Sequence, residues 1–180
     1  MGRPRGFDEA EVVRAAVALF ASRAYDGISV DELVSHLGVH RNSLYKTFGS
    51  KRGLYLAALR WCLKQEVPSL IAEIGEAENV AAAMQRCLTT GTAGAGMDLL
   101  LLAAAERAPV DREVAIEVTR ALDSLDEAVG RCRTGKEAAG IMRSPTGFTA
   151  TLLGLRLRVK AAALTAGPAT PTLQHGPHPS

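Results

Sequence analysis

Residues 29–48 read SVDELVSHLGVHRNSLYKTF, and this stretch decides the fold. Ser29 and Glu32 have the spacing of a helix-capping box, in which each side chain accepts a hydrogen bond from a backbone N–H at the helix start. Gly38 stands where a helix that ends at Leu37 needs a left-handed residue. A second helical segment follows directly. The stretch therefore predicts two short helices joined by a glycine turn.

Helical spacing of apolar residues continues on both sides of this stretch. The preceding apolar stripe comprises Val13, Ala16, Val17, Phe20 and Ala24. Asp8 and Glu11 form a further capping-box pair at the start of that helix. Ser50 caps a fourth helix that can run to about Val67, because Pro68 would break a helix beyond its first turn. The sequence therefore predicts an all-α fold.

The expected organisation is an N-terminal three-helix helix-turn-helix domain joined by a long helix to a C-terminal α-helical domain. Residues 1–49 hold an N-terminal arm and the helix-turn-helix. Residues 50–166 hold the linking helix and the C-terminal helical domain. Residues 167–180 are expected to form a flexible tail, because prolines recur there and cannot continue a helix.

Composition excludes several classes of protein. With 180 residues and 47% hydrophobic content, the chain can build a real core. Its longest strongly apolar run, residues 99–105, is well short of the roughly 20 residues that cross a bilayer. The first residues lack an apolar signal core, so we expect a cytoplasmic protein without a membrane partner. Three cysteines without a close pair favour reduced thiols.

Charge is distributed unevenly along the chain. Residues 33–65 carry six cations and no anion, whereas residues 66–127 carry twelve acids and four bases. A chain with one basic and one acidic region presents a basic face to a polyanion, although an ordinary solvated surface would give the same count.

Polar side chains dominate the second short helix. Leu44 and Phe48 can face the core, which leaves the remaining side chains pointing outward. In a helix-turn-helix, this second helix enters the DNA major groove. Arg41 can bond guanine O6 and N7, Asn42 can bond adenine N6 and N7, and Lys46 can reach a guanine or a phosphate.

Further groups suit contacts with the DNA backbone. Hydroxyl donors of phosphate-contacting size are Ser43, Tyr45 and Thr47. Lys51 lies in the first turn of the fourth helix, where free backbone N–H groups and the helix dipole favour an anion. Arg3 and Arg5 flank Pro4 in a cationic arm that could enter an adjacent minor groove.

These residues resemble the DNA-binding domain of tetracycline-repressor (TetR) family regulators. The resemblance spans residues 9–63 and includes ISVDEL at 28–33, LGV at 37–39 and SLYKTFGSK at 43–51. It implies an all-α homodimer that binds double-stranded DNA at a palindromic operator, usually as a repressor, and releases it when a small-molecule effector enters the C-terminal domain. Matched positions imply base reading by Arg41, Asn42 and Lys46, and phosphate contacts by Ser29, Tyr45 and Lys51. His40 departs from the Ser or Thr that often opens the recognition helix.

The resemblance continues more loosely into the C-terminal part. Residues 97–133 resemble C-terminal helices of one branch of the family, and residues 152–156 resemble the start of its dimerisation helices. The last helix expected by resemblance is replaced by the proline-rich tail, which departs from the family's dimer seam. Seven of the eight aromatic residues lie at or before Trp61, so an effector pocket would be mainly aliphatic and would favour an apolar ligand.

Charges near the C-terminus suggest a contact between chains. Arg156, Arg158 and Lys160 are spread around one helix beside an apolar face. We expect them to act as rim charges that meet the acidic residues 111–127 of a neighbouring chain.

Other motifs carry little weight. Residues 130–136 fit the first seven positions of a P-loop, but Glu137 replaces the Ser or Thr that binds Mg²⁺. Gly91, Gly94 and Gly96 lack dinucleotide spacing and are expected to form a loop. His36 and His40 have no accompanying metal-ligating Glu. Cys62 fits a buried small residue better than a redox sensor.

The sequence therefore indicates no catalytic residues, metal or cofactor, and a protein that is not an enzyme. Two alternatives stay open beside the DNA-binding regulator. One is a small all-α enzyme or carrier with an incidental basic N-terminus. The other is a protein-interaction module whose basic helix meets an acidic partner.

Overall fold

The computed structural model describes residues 8–89, 94–131 and 145–165, and the regular elements within these ranges are all helical. The α-helices of the described ranges are α1 (Glu9–Ser22), α2 (Val30–Leu37), α3 (Arg41–Phe48), α4 (Lys51–Gln65), α5 (Val67–Gly75), α6 (Val80–Thr89), α7 (Gly94–Leu102), α8 (Arg112–Arg131) and α9 (Pro145–Thr165). A 3₁₀ turn spans Tyr25–Gly27, and a π turn spans Ala103–Arg107. The prediction of an all-α fold is confirmed.

Membrane-spanning length and apolarity do not occur together in any helix of the described ranges.

The N-terminal helices pack around α1. Its buried side chains face α4 on one side and α7 on the other. Phe20 meets Tyr55 edge-on, with ring centroids 5.0 Å apart, and Tyr25 meets Tyr55 in the same way at 5.0 Å. Leu33 of α2 and Leu44 of α3 are fully buried in the same core. The aromatic cluster thus holds α1 against α4, and α2 and α3 pack against this pair of helices.

The fourth helix is shorter than the sequence indicated. It was expected to run to about Val67, but α4 ends at Gln65 and α5 begins at Val67 with Pro68 in its first turn. Proline lacks an N–H and its ring clashes with the carbonyl four residues earlier, so the chain breaks just before it. Glu66 is the residue that separates the two helices.

The glycines expected to form a loop are partly helical. Gly94 and Gly96 lie in α7, whereas Gly91 lies outside the described residues. A Cβ at position 96 would collide with Glu66 Oε2 and Cys62 Sγ, so glycine there allows α7 to approach α4 closely. The prediction of a loop was wrong for these two positions, and at Gly96 the reason is that close packing, rather than chain reversal, requires a residue without a side chain.

The C-terminal core is mainly aliphatic, as predicted. Phe148 of α9 is fully buried beside leucines of α7 and α8, including Leu99 and Leu125. Most of residues 130–136, Cys132 and the expected flexible tail, residues 167–180, lie outside the described residues.

Arg156 does not have the rim position expected of it. Its Nε donates to Asp98 Oδ1 at 2.7 Å, and its Nη1 donates to the carbonyl of Cys87 at 2.8 Å. Its side chain is only 13% exposed. The expectation fails because the guanidinium bonds α6 and α7 of its own chain. There the Asp98 carboxylate and the Cys87 carbonyl take the place of water as hydrogen-bond acceptors.

Candidate nucleic-acid interface

The second helix and its turn have the geometry that their residues predict. Ser29 Oγ accepts from the N–H of Glu32 at 3.1 Å and thereby caps α2. Gly38 adopts a left-handed conformation with φ of 64°, and the N–H of Val39 donates to the carbonyl of Val34 at 3.2 Å. These bonds satisfy carbonyls at the helix end and turn the chain sharply. The turn places α3 directly after α2.

The third helix is anchored by two apolar residues and a glycine. Leu44 is fully buried and Phe48 packs against the core. Gly49 has φ of 75°, and its N–H donates to the carbonyl of Tyr45 at 2.8 Å, which ends the helix. His40 precedes the helix without a side-chain cap. The first turn of α3 therefore leaves its backbone N–H groups without that cap.

An outward surface remains on α3, and we call it the recognition face. Its exposed side chains belong to Arg41, Asn42, Tyr45 and Lys46. Ser43 and Thr47 are half-buried beside them. The face combines two cations, an amide and a phenol, and α3 contributes no acid to it. Such a surface can donate hydrogen bonds to both base edges and phosphates.

One recognition-face cation has an acidic partner on the neighbouring helix. Arg41 Nη2 donates to Asp31 Oδ1 in the first turn of α2. The arginine side chain is 48% exposed and the aspartate side chain is 84% exposed. An ion pair this exposed adds little to folding stability.

The expected phosphate contacts are placed differently from one another. Ser29 is exposed, and its hydroxyl proton stays available to an acceptor because the oxygen serves as the α2 cap. Lys51 instead turns into the fold: its Nζ donates to the carbonyl of Tyr25 at 2.6 Å and lies 4.0 Å from the centroid of the Tyr25 ring. Burial lowers the pKa of Lys51. Its contact with phosphate stays a prediction.

The cationic arm that contains Arg3 and Arg5 lies outside the described residues.

A second charged region links α4 to α8, and the sequence did not reveal it. Arg52 forms two hydrogen bonds with Asp111: Nε donates to Oδ2 at 2.7 Å, and Nη2 donates to Oδ1 at 2.8 Å. The same Nη2 also donates to Glu113 at 3.0 Å. Arg60 donates to Glu113 at 2.6 Å and to Glu117 at 2.9 Å. We call this set of ion pairs the domain junction. Its members lie over 50 residues apart in the chain, so sequence spacing carries no signal of it.

Asp111 has two structural roles in the domain junction. Its side chain is only 6% exposed. Its Oδ1 also accepts from the N–H of Glu113 at 3.1 Å, which caps the start of α8. The Arg52 hydrogen bond holds the pKa of Asp111 well below its usual range. A carboxylate this strongly held stays charged under all ordinary conditions.

The π turn adds a contact between the N-terminal helices and the middle of the chain. Ala108 N–H donates to the carbonyl of Ala103 at 2.8 Å, the five-residue spacing of a π turn. Glu106 accepts from the N–H of Tyr25 at 3.3 Å, and the Arg107 guanidinium carbon lies 4.5 Å from the centroid of the Tyr25 ring. The turn thus aims two consecutive side chains at Tyr25.

These contacts correct the role expected of three of the six acidic residues in 111–127. Asp111, Glu113 and Glu117 bond arginines of their own chain rather than standing free for a neighbouring chain. The same contacts involve Arg52 and Arg60, which are two of the six cations in residues 33–65. Pairing within the chain is favoured because α4 and α8 are already packed together. The arginines therefore reach the acids with little further loss of conformational entropy.

Cys62 behaves as the buried small residue that the sequence favoured. It is fully buried, and its Sγ donates to the carbonyl of Gly96 at 3.1 Å. Burial raises the pKa of the Cys62 thiol to about 12, so the reactive thiolate is suppressed.

A shallow open groove of about 390 Å³ lies between α1 and α4. Val13, Ala57 and Trp61 form its apolar part, with charged side chains from both helices at its edges. Trp61 belongs to the N-terminal aromatic set, so this groove differs from the aliphatic pocket expected of the C-terminal part.

Known proteins match this chain at several levels. The family model of bacterial regulatory proteins of the tetR family matches residues 12–58, which contain α2, α3 and the start of α4. YezE of Bacillus subtilis, an uncharacterized HTH-type transcriptional regulator, is 31% identical over 134 residues, which are 71% of this chain and 69% of that protein. BdcR of Escherichia coli, an HTH-type transcriptional repressor, is 43% identical over 58 residues, which are 32% of this chain and 29% of that protein.

A solved structure shares the fold across most of the chain. It is the TetR family transcriptional regulator CifR, a cysteine mutant complexed with 26-bp double-strand operator DNA. The TM-score is 0.63 at 21% sequence identity, over 89% of this chain and 91% of that one. The architecture of an N-terminal helix-turn-helix followed by a helical C-terminal domain is therefore confirmed. Together with the sequence match to YezE, this shows that the chain belongs to the TetR family of helix-turn-helix transcriptional regulators, which are not enzymes.

Proposed function

We propose that this chain is a homodimeric repressor that binds a palindromic operator through α3 and releases it when a small apolar ligand binds the C-terminal domain. Residues 1–49 would carry DNA binding, and residues 50–166 would carry the effector site and the dimer contact. The observation that supports the proposal best is the recognition face, which is exposed and carries donors suited to DNA. BdcR, a relative over 58 residues of this chain, is described as a repressor.

The recognition face suggests how the work of binding is divided. Arg41 and Asn42 lie at the N-terminal end of α3, the part of a recognition helix that meets base edges. Lys46 lies one turn later and is exposed, which suits a guanine or a phosphate. Ser29, Ser43, Tyr45 and Thr47 would add hydroxyl contacts to phosphates, with Arg3 and Arg5 in the adjacent minor groove.

Exposed apolar side chains favour a second copy of the chain as partner. Ile116 of α8 and Leu157 of α9 are each 42% exposed, and Leu155 of α9 is 36% exposed. Large apolar groups on neighbouring helices are typical of surfaces that become buried on association. Two recognition helices held in one dimer could read half-sites one DNA turn apart, roughly 34 Å.

The domain junction supplies a physical route from effector to DNA. Arg52 and Arg60 tie α4, which carries the recognition face through its contact with α3, to the first turns of α8. A ligand that binds more tightly to a second arrangement of α8 would shift α4 with it and change the separation of the two recognition helices. The aliphatic surroundings of Phe148 favour an apolar ligand for this role.

The test is selection of bound duplexes, first from fragments of the source genome and then from a randomised library. We expect enrichment of an inverted repeat, and we expect a promoter that carries it to be transcribed less in vitro when the protein is added. Adding an extract of host small molecules should restore transcription. Sequence-independent retention, without an enriched repeat, would contradict the proposal, and so would binding to acidic proteins in preference to DNA.

A further inference from the structure

We propose that Asp31 is a specificity-determining residue of the recognition face, because its carboxylate lets Arg41 bond neutral base edges and disfavours bonds to phosphate. This inference rests on the proposed function. The sequence indicated Asp31 only as a residue of the first turn of α2. Its negative charge is unexpected beside a surface that is proposed to bind DNA.

The geometry places an anion next to the base-reading arginine. Arg41 is the first residue of α3, and Asp31 lies in the first turn of α2. Only Nη2 of the guanidinium bonds Asp31, through the single oxygen Oδ1. A guanidinium has five N–H donors, so the other nitrogens stay available for a further acceptor.

The nature of that acceptor decides whether Asp31 helps or opposes it. Guanine O6 and N7 are neutral acceptors, and they can share the guanidinium with the carboxylate without repulsion between like charges. A phosphate carries a full negative charge and would be repelled by the carboxylate at close range. Asp31 therefore favours the base edge over the backbone as the partner of Arg41.

Exposure explains why the pair is suited to recognition rather than to folding. The Asp31 side chain is 84% exposed, so the pair has little effect on stability. On the approach of a duplex the same pair becomes surrounded by phosphates and shielded from water, where charge interactions strengthen. The discrimination thus operates only in the complex.

The test compares Asp31→Asn with the unaltered chain on two duplexes of equal length, one carrying the selected site and one with that site scrambled. In 0.1 M salt, affinity for the scrambled duplex should rise about five- to tenfold, because Arg41 gains one phosphate contact. The slope of log affinity against log salt should steepen by about 0.9 for each subunit, or about 1.8 for the dimer, on that duplex. Affinity for the selected site should rise less than about threefold, so the specificity ratio falls.

Glu32→Gln is the matched control. It removes the same charge from the next residue of α2, but Glu32 pairs with Arg23 and not with Arg41. It should change binding to both duplexes by similar factors and leave their ratio within about twofold.

The double variant Asp31→Asn with Arg41→Ala isolates the proposed route. Against Arg41→Ala alone, the added Asp31→Asn should no longer raise affinity for the scrambled duplex. A gain that persists without Arg41 would overturn the inference, because Asp31 would then act only by general repulsion. An unchanged ratio for Asp31→Asn in a protein that still selects its site would overturn it as well. Failure of the unaltered chain to prefer any duplex would instead overturn the proposed function.

Discussion

The recognition face and the domain junction both contain cationic side chains, but these side chains have different roles in the two regions. On the recognition face, Arg41 and Lys46 project from a short helix held by one fully buried leucine, and Arg41 pairs with a single carboxylate, that of Asp31. In the domain junction, Arg52 and Arg60 are bonded at several points to Asp111, which caps α8, and to two acids of α8. The difference lies in the number of described partners: Arg41 has one ion pair, to an exposed carboxylate, whereas Arg52 and Arg60 together have four, to three carboxylates.

This difference changes what the basic stretch means. Residues 33–65 contain six cations and no acid, which from the sequence favours a polyanion as partner. Three of these cations turn out to serve the fold: Lys51 bonds Tyr25, and Arg52 and Arg60 bond α8. The charge available to DNA is therefore smaller than a count along the sequence indicates, and it is concentrated on α3.

The largest effect is expected from breaking the domain junction at Asp111. Asp111→Ala removes both the partner of Arg52 and the cap of α8, so the free energy of unfolding should fall by about 2–4 kcal/mol. Asp111→Asn keeps a cap acceptor and should lose about half as much. Chemical denaturation measures both, with Glu127→Ala on the exposed side of α8 as a control that changes stability by under about 0.5 kcal/mol. Equal losses for all three variants would contradict the assigned role.

The recognition face should respond in the opposite way. Arg41→Ala is expected to weaken binding to the selected site by about 1–3 kcal/mol and to relax its sequence preference, with no loss of unfolding free energy. Lys46→Ala should weaken selected and scrambled duplexes more evenly if Lys46 contacts phosphate. Gel-shift titrations at several salt concentrations give both results. Loss of folding stability in Arg41→Ala, without a change in preference, would show that the residue is structural.

Lys51 tests the boundary between the two regions. Lys51→Ala should lower both duplex affinities alike if the ammonium reaches phosphate, as the sequence predicts. Its bond to Tyr25 makes a loss of about 1 kcal/mol in unfolding free energy expected as well. Measuring affinity and stability on the same variant separates the two roles: a stability loss with unchanged DNA affinity assigns Lys51 to the fold alone.

Close packing beside the domain junction can be broken with one methyl group. Gly96→Ala places a Cβ against Glu66 and Cys62, so the free energy of unfolding should fall by about 1–2 kcal/mol. Gly154→Ala is the matched control, because it lies in α9 with open space around it. That variant should be neutral or stabilising by up to about 1 kcal/mol. Thermal unfolding of both variants checks the contrast.

The smallest effect concerns pH. Burial raises the pKa of Glu66, whose Oε2 has no hydrogen-bond partner among the described residues. A carboxyl whose pKa is higher in the folded state lowers stability as the pH rises through that pKa. Glu66→Gln should therefore flatten the fall in unfolding temperature that begins above the ordinary glutamate pKa of about 4.3. Glu76→Gln, an exposed carboxyl at the end of α5, should leave that profile unchanged.

Local signals in the sequence predicted the DNA-binding half well. The caps at Asp8, Ser29 and Ser50 and the left-handed turn at Gly38 depend only on near neighbours, and each has the expected geometry, although Glu32 bonds Arg23 instead of closing the capping box with Ser29. Contacts between distant segments were beyond such reasoning. The bond from Arg52 to Asp111 and the burial of Arg156 depend on which helices pack together. Gly96 was misread because a glycine that admits a neighbouring helix and a glycine that forms a loop look alike in sequence.

Glu113 accepts from both Arg52 and Arg60, and this sharing has a mechanical consequence. Two helices joined by isolated charge pairs resist sliding, because every step strands a charge. Here the carboxylate of Glu113 bonds both guanidiniums at once, so a step of α8 along α4 would break two ion pairs together. The shared carboxylate therefore couples the two helices, and a displacement of α8 carries α4 with it.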